Sequence, residues 1–471
     1  MIRTPISDVL AATGARLLQG TADRELTGVS TDTRTLAPGQ FFFALSGPNF
    51  DGNRFAREAA ERGAAGLLLA GEDGAPPSLP REVPRDTPVL YHPSPRAALA
   101  QLAEWHRRQL SAPVIGITGS CGKTTTKNTL VTLLQERARV VGSPNSFNND
   151  IGVPHTLFLA DPSTQAVVVE MGTNHPGEIA ALCRTARPNV GILTCVGASH
   201  LEGLHSIEGV AREKSALVAS LPADGLCVLN ADCRWTPYMK SITAARVLTF
   251  SVEGEGDLDA RNVWFHSGGT TFQLEGREIT SPLLGLHNVQ NLLAAIACCR
   301  GLGLVLDEIL PAISRLKPPQ RRLERREVRG LTLIDDSYNA NPESARASVR
   351  VLAGMHGHAR RVLVLGDMAE LGSLAAEMHF EIGREAAQSG IDRLVLVGEL
   401  VKAAAAGAVE AGFPEEHLTL YPDVETAIRE LPAKLAKGDC VLVKGSRRTG
   451  LDRFVTAYVQ DAALAEREFA A

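Results

Sequence analysis

A chain of 471 residues exceeds one ordinary hydrophobic core, so two to four domains are expected. Its 44% hydrophobic and 21% charged content is that of a soluble globular protein, and a net charge of −5 excludes the global basic field that a nucleic-acid partner would require. The eight cysteines are scattered without C-x-x-C pairs, no stretch of about 18 apolar residues occurs, and the first twenty residues lack a basic segment leading into an apolar run. Free thiols, a cytoplasmic location and no membrane insertion are the expectations.

The amino-terminal part carries the polar run Ser30-Thr31-Asp32-Thr33-Arg34 and the segment Gly47 to Gly52, and it closes with a Pro-, Gly- and charge-rich loop between Gly71 and Pro88. Next, Val114 to Ile117 reads as a buried strand, followed by Gly119-Ser120-Cys121-Gly122-Lys123-Thr124-Thr125 and a helix with Leu130, Leu133 and Leu134 at i, i+3, i+4 spacing. A Gly-Lys-Thr at a strand-to-helix junction turns backbone N–H groups, a helix N-terminus and one ammonium onto phosphate oxygens. The general phosphate-loop pattern would place a glycine at position 117, where this chain has Ile117, so the form is compact. Lys123 would bridge the terminal phosphates, and Thr124 would put its hydroxyl on Mg²⁺.

Further strands end in polar or glycine residues: 166–169 before Glu170, 190–193 before Thr194, 226–229 before Asn230, 331–334 before Asp335-Asp336, 361–365 before Gly366-Asp367, 394–397 before Gly398, and 440–443 before Lys444-Gly445. Apolar strands alternating with helical segments indicate parallel, doubly wound sheets, which bind ligands just past their carboxyl ends. The basic, proline-broken connector 316–322 separates two such sheets, an arrangement that suits ATP in a cleft between them. Glu170 is placed as a second Mg²⁺-binding element or as a cap on the next turn. Asn148-Asn149-Asp150 reads as an Asx-type turn, His200 as a loop histidine and Lys214 as a solvated helix lysine. Asn288 could cap the helix it opens, or it and Asn291, one turn on inside that helix, could together read the edge of a base. The loops Asp336-Ser337-Tyr338-Asn339-Ala340-Asn341 and Lys444-Gly445-Ser446-Arg447 are either turns or ligand loops, the second suited to a carboxylate-bearing substrate.

Together these motifs resemble the Mur ligases, ATP-dependent amide-bond-forming enzymes of peptidoglycan precursor synthesis. The resemblance rests on the compact phosphate loop, Asn148 to Pro154, Glu170-Met171-Gly172, Ala198 to Glu202, the late helix lysine and the His287 to Ala295 segment, in that order, and it covers essentially the whole chain. Asp335 to Pro342 and Leu365 to Gly372 are similar to the member that joins D-alanyl-D-alanine to UDP-N-acetylmuramoyl-tripeptide. The D-N-P-R signature of the ligase adding the third residue is absent. That ligase and a folylpolyglutamate-type ligase are the alternatives within the fold, and a non-enzymatic nucleotide switch is the alternative outside it.

The resemblance implies an α/β fold of three domains: a small mixed α/β domain for the UDP-substrate (1–93), a central phosphate-loop ATPase domain with a parallel sheet (94–317), and a Rossmann-like doubly wound domain closing on ATP and the amino substrate (318–471). It implies ATP, two Mg²⁺ ions and a CO₂-derived carbamate on Lys214, with Glu170 and His200 completing the second metal site. Asn288 and Asn291 would recognise adenine, and Arg322 and Asp336 would close on the nucleotide. The family usually has glycine immediately before that arginine, where this chain has Arg321. Substrate contacts are expected at Ser30, Asp32, Arg34, Gly47, Asp51, Asn148, Asn149, Tyr338, Asn339, Asn341, Ser446 and Arg447, in a monomer.

Overall fold

The computed structural model describes residues 1–47, 50–71, 75–78, 82–266 and 268–470, with side chains as far as residue 461. The Gly47 to Gly52 segment and the Gly71 to Pro88 loop lie partly outside the described residues. Three large sheets organise the chain. The amino-terminal one has the spatial order Arg16–Gln19, Val89–Tyr91, Gly66–Leu69, Phe41–Phe43, Val29–Ser30, antiparallel in its first pair and parallel thereafter. Alternation along the strands divides its apolar residues between two cores: Phe41, Phe43 and Leu68 face Ile6 and Val9, whereas Phe42 and Leu67 face Ala56 and Ala59.

Helix Pro95–Gln109 follows, started by Pro95 at its first position and by the Ser94 side chain, which accepts from the Ala97 N–H. Ala98, Leu99 and Leu102 pack into the first core, which runs on without a break into Val114, Val167 and Val169. The small domain is thus bolted to the central sheet by shared apolar burial. Each fully buried Leu or Val side chain there contributes about 1.5–3 kcal/mol.

The central sheet is parallel throughout, in the order Val140–Gly142, Ala166–Glu170, Val114–Thr118, Val190–Leu193, Leu226–Asn230, Arg246–Ser251, Leu258–Asp259. Strand Val114–Thr118 is buried end to end because helices cover both faces. The chain leaves this strand toward one side and later returns on its other flank with Val190–Leu193, which opens a crevice at their carboxyl ends. A three-stranded antiparallel sheet, Arg261–His266, Gly269–Leu274 and Arg277–Ser281, adds to the parallel strands expected here. Helix Leu286–Gly301 is buried on nearly all sides and packs on the phosphate-loop helix Lys123–Leu134.

The third sheet runs Glu324–Val328, Leu331–Asp336, Asp439–Lys444, Arg360–Gly366, Arg393–Val397, Leu418–Tyr421, with only the first pair antiparallel. Apolar clusters cover both of its faces, as a doubly wound sheet requires. The architecture is the expected three-part α/β fold. No helix among the described residues is long and apolar enough to cross a membrane.

Candidate active site

The phosphate loop fills the crevice at the end of Val114–Thr118. Gly122 adopts φ +83 and leads straight into helix Lys123–Leu134. A Cβ there would lie 2.1 Å from Asn291 Oδ1, so both the backbone and the neighbour demand glycine. Lys123 folds its ammonium back onto the Gly119 carbonyl at 2.7 Å. Burial lowers its pKa; Glu170 opposes that shift and the Arg322 charge adds to it. Ser120 is pinned by its hydroxyl to Gly197, Thr125 is buried in the first helical turn, and Thr124 has only a weak 3.5 Å contact with Ser146.

Glu170 closes its strand at 1% exposure. Its Oε1 accepts from Asn148 Nδ2 at 2.9 Å, while its Oε2 has no partner. Asn149, by contrast, makes the Asx turn expected, accepting from the Gly152 N–H at 2.9 Å. Lys214, on helix Ile207–Ala219, is fully buried and its Nζ is also unpartnered. Burial first, then the charge of Lys123, brings its pKa down to about 7. The solvated-lysine reading is thereby overturned: the helix turns this residue inward. An orphaned buried polar group costs about 1–3 kcal/mol and calls for a missing partner.

His200 has φ +53 and starts the short helix Leu201–Leu204. Its Nδ1 lies 2.5 Å from Glu370 Oε2 of the third domain, and the imidazole holds the Glu370 carboxyl below its usual range. Asn288 does not cap its helix, which begins after Gly285; it lies in the first turn and donates to the Leu284 carbonyl at 2.8 Å. Asn291 donates to Asn288 Oδ1 at 3.0 Å and accepts from Thr126 Oγ1 at 3.2 Å. These two amides tie the helix to the phosphate-loop helix, and each keeps one hydrogen and one lone pair for a further partner.

The third domain reaches the same crevice. Asn341 caps helix Pro342–Ala353 through Oδ1 and donates through Nδ2 to the Ser120 carbonyl at 3.2 Å. Asp336 is committed to the fold: Lys444 Nζ lies 2.7 Å away, and Ser348 and the Leu323 N–H donate to it. Lys444, offered by sequence as a cation for substrate, is therefore occupied. Arg322 lies over the Tyr338 ring, 4.3 Å from its centroid. Arg321 takes φ +57, the left-handed region that glycine adopts freely, and pairs with Asp452 at 2.6 Å. Tyr338, Asn339, Asn341, Ser446 and Arg447 all line a cleft of about 1600 Å³ together with the phosphate loop, Glu170, His200, Asn148, Asn149, Asn288, Asn291, Arg322 and Asp336.

Ser30, Asp32, Arg34, Gly47 and Asp51 are not among its lining residues. Asp32 pairs with Arg34 at 2.6 Å, Ser30 bonds the Asp32 backbone, and Asp51 accepts from the Asn53 N–H. Sequence reasoning missed Glu370, Glu343 and His287, all of which line the cleft. Glu343 Oε1 accepts from the Ala198 N–H at 2.8 Å and its Oε2 is buried without a partner. Burial lowers the His287 pKa to about 4, so the ring is neutral. Its place beside Gly285 and Asn288 was the available signal.

Hard oxygen donors at Thr124 and Glu170 suit Mg²⁺, which is commonly held by one or two carboxylates plus substrate phosphates. Among the described residues no group of three or more His, Cys, Asp or Glu is gathered as a metal site. The orphaned Glu170 oxygen and Lys214 nitrogen are what a cation and a carbamate would satisfy.

Residues 25–107 match the Mur ligase family catalytic domain, 117–299 the Mur ligase middle domain, and 321–447 the Mur ligase glutamate ligase domain. A relative from Escherichia coli (strain K12), UDP-N-acetylmuramoyl-tripeptide–D-alanyl-D-alanine ligase, is 37% identical over 449 residues, 93% of this chain and 95% of its own length. Among solved structures, MurF from Acinetobacter baumannii is similar with a TM-score of 0.87 and 28% identity, covering 98% of this chain and 99% of that one. MurF ligase from Thermotoga maritima in complex with ADP follows at 0.80 and 26%, covering 93% and 98%. With the three domains matched in order along one chain and the likeness running nearly end to end, this chain belongs to the Mur ligase family.

Proposed function

We propose that this chain joins D-alanyl-D-alanine to UDP-N-acetylmuramoyl-tripeptide at the expense of ATP, releasing ADP and phosphate. One observation carries the reading: two sheet edges meet on one phosphate loop, Asn341 bonding Ser120 from one side while Glu170 and Lys214 leave buried atoms open on the other. A carboxylate is a poor electrophile, so the tripeptide's terminal oxygen attacks the γ-phosphate to give an acyl phosphate. The dipeptide amine then attacks that carbonyl, and phosphate leaves from the tetrahedral intermediate. Lys123 neutralises the charge that would keep the two anions apart, and Arg322 adds a second cation from the third domain. The docked third domain keeps water from the acyl phosphate.

Two Mg²⁺ ions would screen the same charge when bound: Thr124 and Glu170 suit one, and Glu170, His200 through its free Nε2, and a carbamylated Lys214 suit the other. The neutral amine of Lys214 is the nucleophile that CO₂ requires, and its depressed pKa supplies that form. Asn288 and Asn291 retain the donor and acceptor that adenine would need. Domains at 1–93, 94–317 and 318–471 remain the functional division, with Ser30, Asp32, Arg34, Gly47 and Asp51 recognising the UDP moiety outside the main cleft, and Asn148, Asn149, Tyr338, Asn339, Ser446 and Arg447 contacting the peptidyl and amino substrates. Eight unpaired cysteines suit a reducing cytoplasm, and the chain is taken to act as a monomer.

Phosphate release in an acceptor screen tests the proposal. It should require both the UDP-tripeptide and D-alanyl-D-alanine. Robust turnover with a single amino acid such as meso-diaminopimelate in place of the dipeptide would assign the chain to the preceding step.

A further inference from the structure

The phosphate loop contains a cysteine, Cys121, between Ser120 and Gly122, and the strand Val190–Leu193 on the other flank of the crevice is followed two residues later by Cys195. Their sulfurs are 2.9 Å apart, and the Cys121 N–H also points at Cys195 Sγ, at 3.3 Å. The loops that carry them are already stitched together, Ser120 N–H to the Cys195 carbonyl at 2.9 Å and Thr194 Oγ1 to the Cys121 carbonyl at 2.5 Å. Both residues are partly exposed and line the cleft, so a small oxidant can reach them. Cys183, Cys227, Cys298, Cys299 and Cys440 are buried. Only Cys233 shares the cleft with the pair.

We infer that Cys121 and Cys195 form a reversible disulfide, made by a peroxide, that switches the phosphate loop off. The Cys195 thiol is the more acidic of the two, because a thiolate there accepts from the Cys121 N–H and can accept from the Cys121 thiol; the Cys121 thiol is correspondingly raised. The Cys195 thiolate attacks one peroxide oxygen; an S–O bond forms, the O–O bond breaks and hydroxide leaves. The Cys121 sulfur then attacks the sulfenic Cys195 sulfur; the S–S bond forms, the S–O bond breaks, and water leaves with the thiol proton. Hydroxide takes up the proton that Cys195 had lost, so two thiols are oxidised and one peroxide is reduced to two waters. The sulfurs need to close only from 2.9 Å to about 2.05 Å.

The link would hold Cys121 against the neighbouring strand end with its N–H directed at sulfur, immediately before Gly122 and Lys123. Loop N–H groups that must turn onto phosphate oxygens could then no longer do so. Bound ATP should in turn protect the pair, since phosphates occupy the loop. This consequence rests on the reading of the loop as the ATP site; formation of the link does not.

The test exposes the reduced full-length protein to hydrogen peroxide, with and without ATP. It then maps linked peptides without reductant and measures ATP binding and phosphate release, each variant normalised to its own reduced state. A Cys121–Cys195 peptide, roughly tenfold weaker ATP binding, recovery with dithiothreitol and slower linking under ATP are expected. Cys195→Ser should lose both the linked peptide and the sensitivity. Absence of the link, a Cys195–Cys233 link in its place, a link that leaves ATP binding intact, or equal sensitivity in Cys195→Ser would each overturn the inference. Reduced protein that binds ATP but does not couple the dipeptide would overturn the ligase reading alone.

Discussion

The carboxyl edges of the central and third sheets face one cleft but treat their polar groups in opposite ways. On the central edge and the helix beneath it, Thr118 Oγ1, Glu170 Oε2 and Lys214 Nζ are buried without partners. On the third edge, Asp336 is surrounded by Lys444, Ser348 and the Leu323 N–H, and Asn341 spends one amide atom on its own helix and the other on Ser120. Glu343 bridges the two regimes, one oxygen bonded to Ala198 and the other open. Unsatisfied groups persist where a ligand completes them, and satisfied networks persist where rigidity is needed. The open atoms of the central edge are where the proposed phosphate and cations would bind, and the third edge holds a fixed shape against it.

The strongest break in that contrast is Lys214→Ala, expected to lower phosphate release roughly a thousandfold, with partial rescue by short carboxylic acids. Unimpaired turnover would show that the orphaned amine serves no ligand. On the satisfied side, Lys444→Met leaves Asp336 buried and unpaired, so denaturant unfolding should show a loss of about 3 kcal/mol. The same change at the exposed Lys402, paired with Glu399, should leave stability nearly untouched.

The Asn148 amide donates to Glu170, so Asn148→Ala should raise the Mg²⁺ concentration for half-maximal turnover roughly 10–100-fold while kcat at saturating Mg²⁺ changes less. A further effect concerns acid stability. The His287 pKa falls from an ordinary 6.5 to about 4, so between those values the unfolded chain binds more protons than the folded one. Stability contributed by the neutral ring is full above about 6.5 and declines as pH falls toward 4. His287→Gln should flatten that decline in thermal melts taken across the window; an unchanged slope would assign it to other groups.

The phosphate loop was legible because its signal is local: a buried strand, glycines where the backbone must turn, and an amphipathic helix lie within some twenty residues. Glu170 was legible for the same reason, as a carboxylate at the end of an apolar run. Lys214 was not, since a helix lysine looks the same in solvent and in the core until the neighbouring elements are placed. Asn291 looked out of place in its helix because its partner, Thr126, is 165 positions away. His200 and Glu370 are 170 apart, and Asn341 and Ser120 are 221 apart. Arg321 shows the limit from the other side: its side chain says nothing of φ +57, which the connector imposes and the Asp452 pair helps hold.

Sequence alone determined the parallel strands, the two sheets on either side of the 316–322 connector and the phosphate-binding turn with its Lys123 and Thr124, because these follow from periodicity and from backbone rules that act over a few residues. Tertiary structure alone decided which polar groups are spoken for and which stand open. Asp336 and Lys444 neutralise each other, Asn288 and Asn291 tie their helix to Thr126, Glu170 Oε2 and Lys214 Nζ lack partners, and Cys121 meets Cys195. Burial and pairing are properties of a neighbourhood assembled from distant segments, and they set the charge, the pKa and the reactivity that a residue's identity leaves open.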